Sequence, residues 1–188
     1  MPDVTPPSQR LKLAVVGLGG IGGALAVALR AADRHDVVAC ARRPLAGLVL
    51  EWNDATLDLP LNVATDPRAV GPADWVMLST KAHQTPDAAP WLASLCRPGT
   101  RVAVLQNGID HVARVAPFAA GAAVVPVVIY YNSEQIGADR VRCARSPGMI
   151  LWWRMMRTGG ILPGCWTAAA CGCCVPTTSR PARGASCC

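Results

Sequence analysis

Short apolar runs and stretches of helical period take turns along the first three-quarters of the chain. Residues 11–16 (LKLAVV) have the length and content of a buried strand, and just beyond them Ile21, Leu25, Ala28 and Leu29 recur at helical spacing. Residues 35–41 (HDVVACA) predict a second strand. Residues 45–51 read as irregular or briefly helical, and residues 55–65 (ATLDLPLNVAT) alternate as a strand or hairpin that Pro60 interrupts. Strands are then predicted over 75–80 (WVMLST) and 101–106 (RVAVLQ), helices over 86–96 and 110–119, and a last long strand over 122–131 (AAVVPVVIYY). Strands alternating with helices, joined by right-handed crossovers, predict an α/β domain of Rossmann type: a mainly parallel sheet with helices on both faces.

The turn between the first strand and the first helix reads V-G-L-G-G-I-G-G, a G-x-G-x-x-G run made by Gly17, Gly19 and Gly22 with Leu18, Gly20 and Ile21 between them. In that context Gly17 would allow the tight turn, Gly19 would let the backbone approach a pyrophosphate, and Gly22 would let the helix pack close to the strand. The helix N-terminus offers free amides and a favourable dipole to the same anion. A dinucleotide is the expected ligand. Twenty residues after Gly22, where an NAD-preferring domain carries an acid, stand Arg42 and Arg43. Guanidinium groups bind a 2′-phosphate that a carboxylate would repel, so NADP(H) is the expected cofactor. The bland alternative for Arg42-Arg43-Pro44 is a solvated loop.

In an open parallel sheet the ligand lies beyond the carboxyl ends of the strands. Lys81 in S-T-K-A-H-Q and Asn107 in L-Q-N-G-I-D occupy such positions. Lysine supplies a compact cation for a carboxylate or cofactor, and asparagine a donor and an acceptor for a carboxamide or carbonyl. Taken singly, a solvated lysine and an Asn-Gly turn are the readings to favour, and it is the shared edge with Gly17–Gly22 that points to a site.

Charge and cysteine change the picture only after Asp139. All 12 acidic residues and both lysines lie at or before it, and the last 49 residues hold seven arginines and no acid, so the formal +6 divides into −1 and +7. A nearly neutral body with no aromatic-interleaved basic stripe gives no reason to expect nucleic acid. No run reaches the roughly 18 apolar residues of a membrane span, and a cytoplasmic location is expected. Cys40, Cys96 and Cys143 read as ordinary thiols; Cys165, Cys171, Cys173, Cys174, Cys187 and Cys188 lack paired C-x-x-C units and a nearby histidine, so no metal site is expected.

From Met149 onward the chain has neither helix nor strand period. A shifted reading frame accounts for this composition. Read one base earlier, Met149-Ile150, Met155-Met156 and Trp166-Thr167 each become Asp, Trp152-Trp153 becomes Val, and Cys165-Trp166, Cys173-Cys174 and Cys187-Cys188 become Leu, whatever the codon choice. The expected organisation is a disordered segment over 1–10, a nucleotide-binding domain over 11–147, and a tail over 148–188 outside the native fold. The alternative is a genuine Cys-rich tail on a non-catalytic NADP-sensing or metal-binding module.

G-L-G-G-I-G, the A-R-R-P after the second strand, S-T-K-A-H-Q and L-Q-N-G-I together resemble the N-terminal domain of the 2-dehydropantoate 2-reductase, or ketopantoate reductase, family over roughly residues 11–148. The resemblance implies that Gly17, Gly19, Gly22 and Arg42 bind NADPH, that Lys81 lies by cofactor and substrate with Gln84 near it, and that Asn107 contacts the nicotinamide side and the substrate. It implies reduction of a small 2-keto acid, 2-dehydropantoate, to pantoate for pantothenate and coenzyme A synthesis. Family members place their proton-donating lysine on a helical second domain, and no lysine follows Lys81 here. No catalytic acid is therefore assigned, and a truncated, inactive form is expected. Other NADP-dependent 3-hydroxyacid dehydrogenases share such a nucleotide domain and are the nearest alternative.

Overall fold

The computed structural model describes residues 10–52, 55–129 and 131–144. The expectations for residues 1–9 and for the tail from residue 145 lie outside the described residues.

Six parallel strands form the main sheet: β1 (Lys12–Val16), β2 (Asp36–Cys40), β5 (Val63–Ala64), β6 (Trp75–Leu78), β7 (Arg101–Val104) and β8 (Ala123–Pro126). Their order, β5-β2-β1-β6-β7-β8, reverses direction at β1, with β2 on one side and β6 on the other. The expected Rossmann architecture is the one observed. Alternate residues of each strand feed opposite faces. Leu13 and Val15 of β1, Met77 of β6 and Ala103 of β7 join one core with helix α1 (Gly20–Ala32). Ala14, Val16, Val76, Leu78, Val102 and Val104 join the other, against Trp91, Leu92 and Leu95 of α2 (Ala89–Leu95) and Val115 of α3 (His111–Val115).

A second sheet covers the far side of α1 and consists of β3 (Gly47–Trp52), β4 (Ala55–Pro60), β9 (Ser133–Gln135) and β10 (Arg140–Cys143). Its strand order is β4-β3-β10-β9. Leu48, Leu50, Val141 and Cys143 point from it into the core around α1. Sandwiched between two sheets, α1 is buried continuously from Gly22 to Leu29, which explains why GIGGALAVALRAA carries no polar residue before Arg30.

This sheet corrects three expectations. Within residues 45–51 Leu45 and Ala46 are irregular, but from Gly47 the chain is neither irregular nor helical: GLVLEW is strand β3, paired antiparallel with β4 and parallel with β10. The 55–65 segment serves two sheets, β4 joining β3 and β5 joining β2. The long strand over 122–131 pairs only from Ala123 to Pro126, and the chain then leaves the sheet edge so that the Tyr131 hydroxyl donates to Ile21 O of α1 at 3.1 Å. The helix over 86–96 opens with a 3₁₀ turn at Pro86–Ala88 before α2, and the one over 110–119 closes with another at Ala116–Phe118 after α3.

Candidate functional site

The glycine run sits at the first β-to-α junction, on the edge where the strand order reverses. Gly17 has φ +96°, a left-handed conformation that suits glycine, and a methyl there would meet Thr80 Cγ2 and the Thr80 amide at 3.0 Å. A methyl at Gly22 would overlap the Gly17 carbonyl oxygen and Ser79 Oγ, so this glycine sets how closely α1 approaches β1. At Gly19 a methyl would meet nothing within 4 Å. That open side is where an incoming ligand could lie against bare backbone. Helix α1 begins there with no side-chain cap and no acid in its first turn, so no carboxylate competes for its leading amides.

Neighbouring residues brace this loop. Ser79 Oγ lies 2.7 Å from Gly17 O and 3.0 Å from Val16 O, joining the end of β6 to the end of β1. From the small sheet, Ser133 Oγ donates to Gly20 O at 2.6 Å, and a methyl at Gly20 would overlap the Ser133 backbone. Sequence patterns gave no sign of Ser133 or Tyr131, which lie more than 100 residues from their partners.

Arg42 and Arg43 follow β2 and are exposed, and neither forms an ion pair or hydrogen bond among the described residues. Lys81 and Asn107 follow the adjacent strands β6 and β7, on the other side of β1, and both are exposed. Gln84 closes the turn at Lys81. Its side-chain oxygen accepts from the Lys81 amide at 3.3 Å, while its own amide donates to Lys81 O at 2.8 Å. Its structural contribution is thus to hold the lysine's backbone.

Beneath Lys81 and Asn107 lies buried Gln106, bonded to Thr80, Thr85 and Arg114. Asp110 pairs with Arg114, and its own backbone amide, then that guanidinium, hold its carboxyl below the usual carboxylate range. Cys40, at the end of β2, is no nucleophile: burial pushes its thiol up to about 12. Among the described residues no cluster of His, Cys, Asp and Glu could hold a metal ion, and no helix is long and apolar enough to cross a membrane.

The model of the ketopantoate reductase PanE/ApbA family matches residues 13–152. The chain belongs to the ketopantoate reductase family. Relatives named 2-dehydropantoate 2-reductase include one from Caulobacter vibrioides, 36% identical over 129 residues, which cover 69% of this chain and 44% of the relative. Another, from Mycobacterium tuberculosis strain CDC 1551 / Oshkosh, is 40% identical over 124 residues, covering 65% and 42%. A crystal structure of a PanE/ApbA family ketopantoate reductase from Ralstonia eutropha JMP134 superposes with a TM-score of 0.64 at 28% identity, covering 72% of this chain and 47% of that one. The chain spans less than half the length of these ketopantoate reductases.

Proposed function

We propose that these 188 residues supply the NADP(H)-binding part of a ketopantoate reductase that reduces 2-dehydropantoate to pantoate, and that on their own they bind cofactor without turnover. Two guanidinium groups at the end of β2 that form no ion pair or hydrogen bond among the described residues, beside a helix N-terminus with no side-chain cap, carry this reading. The residues fit the cofactor part by part. The backbone around Gly19 and the first turn of α1 would receive the pyrophosphate, and Arg42 with Arg43 the 2′-phosphate. Lys81 and Asn107 would face the nicotinamide and the keto acid. The bound nicotinamide supplies the hydride. Lys81 would hold the substrate carboxylate by charge, and Asn107 would orient the carbonyl through its carboxamide. The chain has no lysine after Lys81 to act as a second ammonium and protonate the nascent alkoxide, hence the expected lack of turnover.

Titration of the full chain with NADPH and NADH tests the reading. NADPH should bind at least about tenfold tighter, and Arg42→Ala combined with Arg43→Ala should remove that preference, a loss of roughly tenfold to a hundredfold for charge-assisted hydrogen bonds. Equal affinity for the two coenzymes in the unaltered chain would overturn it. Oxidation of NADPH that depends on 2-dehydropantoate, catalysed by the 188 residues alone, would overturn the second half.

A further inference from the structure

Gln106 stands in the L-Q-N-G-I motif without a role in the reading above, and its surroundings are specific. It is 5% exposed, and its side chain joins three segments. Nε2 lies 3.0 Å from Thr80 Oγ1 and 3.1 Å from Thr85 Oγ1, while Oε1 lies 3.3 Å from Arg114 Nε. A guanidinium can only donate, so the amide oxygen faces Arg114 and both amide protons go to the threonines. Thr85 Oγ1 lies 2.9 Å from Ala82 O and 3.2 Å from Gln106 Oε1, so its own proton has two oxygens to share. The donor-only guanidinium of Arg114 on Oε1 sets the orientation of the carboxamide.

The three segments are the loop after β6, the loop after β7 and the helix α3. Lys81 follows Thr80 directly, and Asn107 follows Gln106 directly. Arg114 also reaches beneath the next residue, where a methyl at Gly108 would meet its Nη1 at 3.5 Å. Arg114 Nη2 is buried without a hydrogen-bond partner, but the bonds through Gln106 still tie the two exposed loops to α3, a directional link that a packed apolar side chain would not impose.

We propose that Gln106 is a positioning residue that sets the separation and orientation of Lys81 and Asn107 for the nicotinamide half of the cofactor. The inference rests on the NADP(H) reading. Because β2 and β6 flank β1 on opposite sides, the adenosine half by Arg42 and the nicotinamide half by Lys81 and Asn107 lie on opposite sides of the glycine loop. A fault at Gln106 reaches only the second half.

The experiment is calorimetric titration of the full chain with NADPH and with 2′,5′-ADP, which carries the adenosine half and its extra phosphate but no nicotinamide. Gln106→Leu should weaken NADPH roughly fivefold to tenfold and leave 2′,5′-ADP within about twofold. Leucine strands Arg114 Nε, so Thr80→Val, which removes one link and keeps the methyl beside Gly17, decides the matter if Gln106→Leu does not fold. It should weaken NADPH about threefold, again without touching 2′,5′-ADP. Unchanged NADPH affinity in the folded variants, or equal loss of both ligands, overturns the inference. Failure of the unaltered chain to bind 2′,5′-ADP is a different result: it refutes the NADP(H) reading and takes this inference with it.

Discussion

The central strands of the six-stranded sheet are dry on both faces, whereas the four-stranded sheet is dry on one. In the larger sheet β1 is buried from Leu13 to Val16 at 0–2% exposure, with helices on either side. In the smaller, β10 alternates: Val141 and Cys143 turn inward, while Arg140 and Arg142 face water and meet Glu51 at 3.0 and 2.9 Å. Both sheets grip the same object. The larger supports the glycine loop through Ser79 and Thr80, and the smaller holds the first turn of α1 through Ser133, with Tyr131 just before β9 bonding the same turn. The glycine loop thus has a floor at the ends of β1 and β6 and a roof at the edge strand β9, and each meets it through close backbone approach and a serine hydroxyl.

Substitutions on the two sides should separate floor from roof. Gly22→Ala forces a methyl into the Gly17 carbonyl and Ser79, which can relax only if α1 lifts from β1, and should destabilise the full chain by about 3 kcal/mol or more. Urea unfolding measures this, and a cost under about 1 kcal/mol would mean that helix and loop separate easily. Val141→Ala removes a fully buried side chain that packs toward Gly23 from the roof, and should cost about 2 kcal/mol. A loss as large as that of Gly22→Ala would erase the distinction between the two sheets.

The same contrast governs what the residues alone could reveal. Strands buried on both faces carry unbroken apolar runs, as in LKLAVV and RVAVLQ, and these announce themselves without knowledge of their partners. GLVLEW is ambiguous by itself: Leu48 and Leu50 are fixed as strand residues by pairing with β4 and with a β10 that lies some 90 residues away. R-V-R-C has period two, but over four residues that signal is too short to stand out. At the site, Gly17 and Gly22 were legible because a turn and a close helix approach constrain the backbone locally. Ser133 and the bonding of Gln106 were not, since each depends on segments brought together only by the fold.

The smallest expected effect belongs to the wet face of the roof. Arg140, then Arg142, hold the Glu51 carboxyl below its ordinary value of 4.5. A carboxylate whose folded value is depressed stabilises the fold above its unfolded value, and that contribution disappears as pH falls from about 4.5 through the lower folded value. Glu51→Gln should therefore lower the unfolding midpoint slightly near pH 7, and the difference should shrink as pH falls below 4.5 and the native carboxyl gains its proton. Because the cluster is partly exposed, 1 M salt should shrink the difference near pH 7. A gap between the two proteins that does not narrow as pH falls from about 7 down to the acid unfolding of both would show that the charge of Glu51 does not hold β10 to β3, leaving Val141 and Cys143 to close the roof by packing alone.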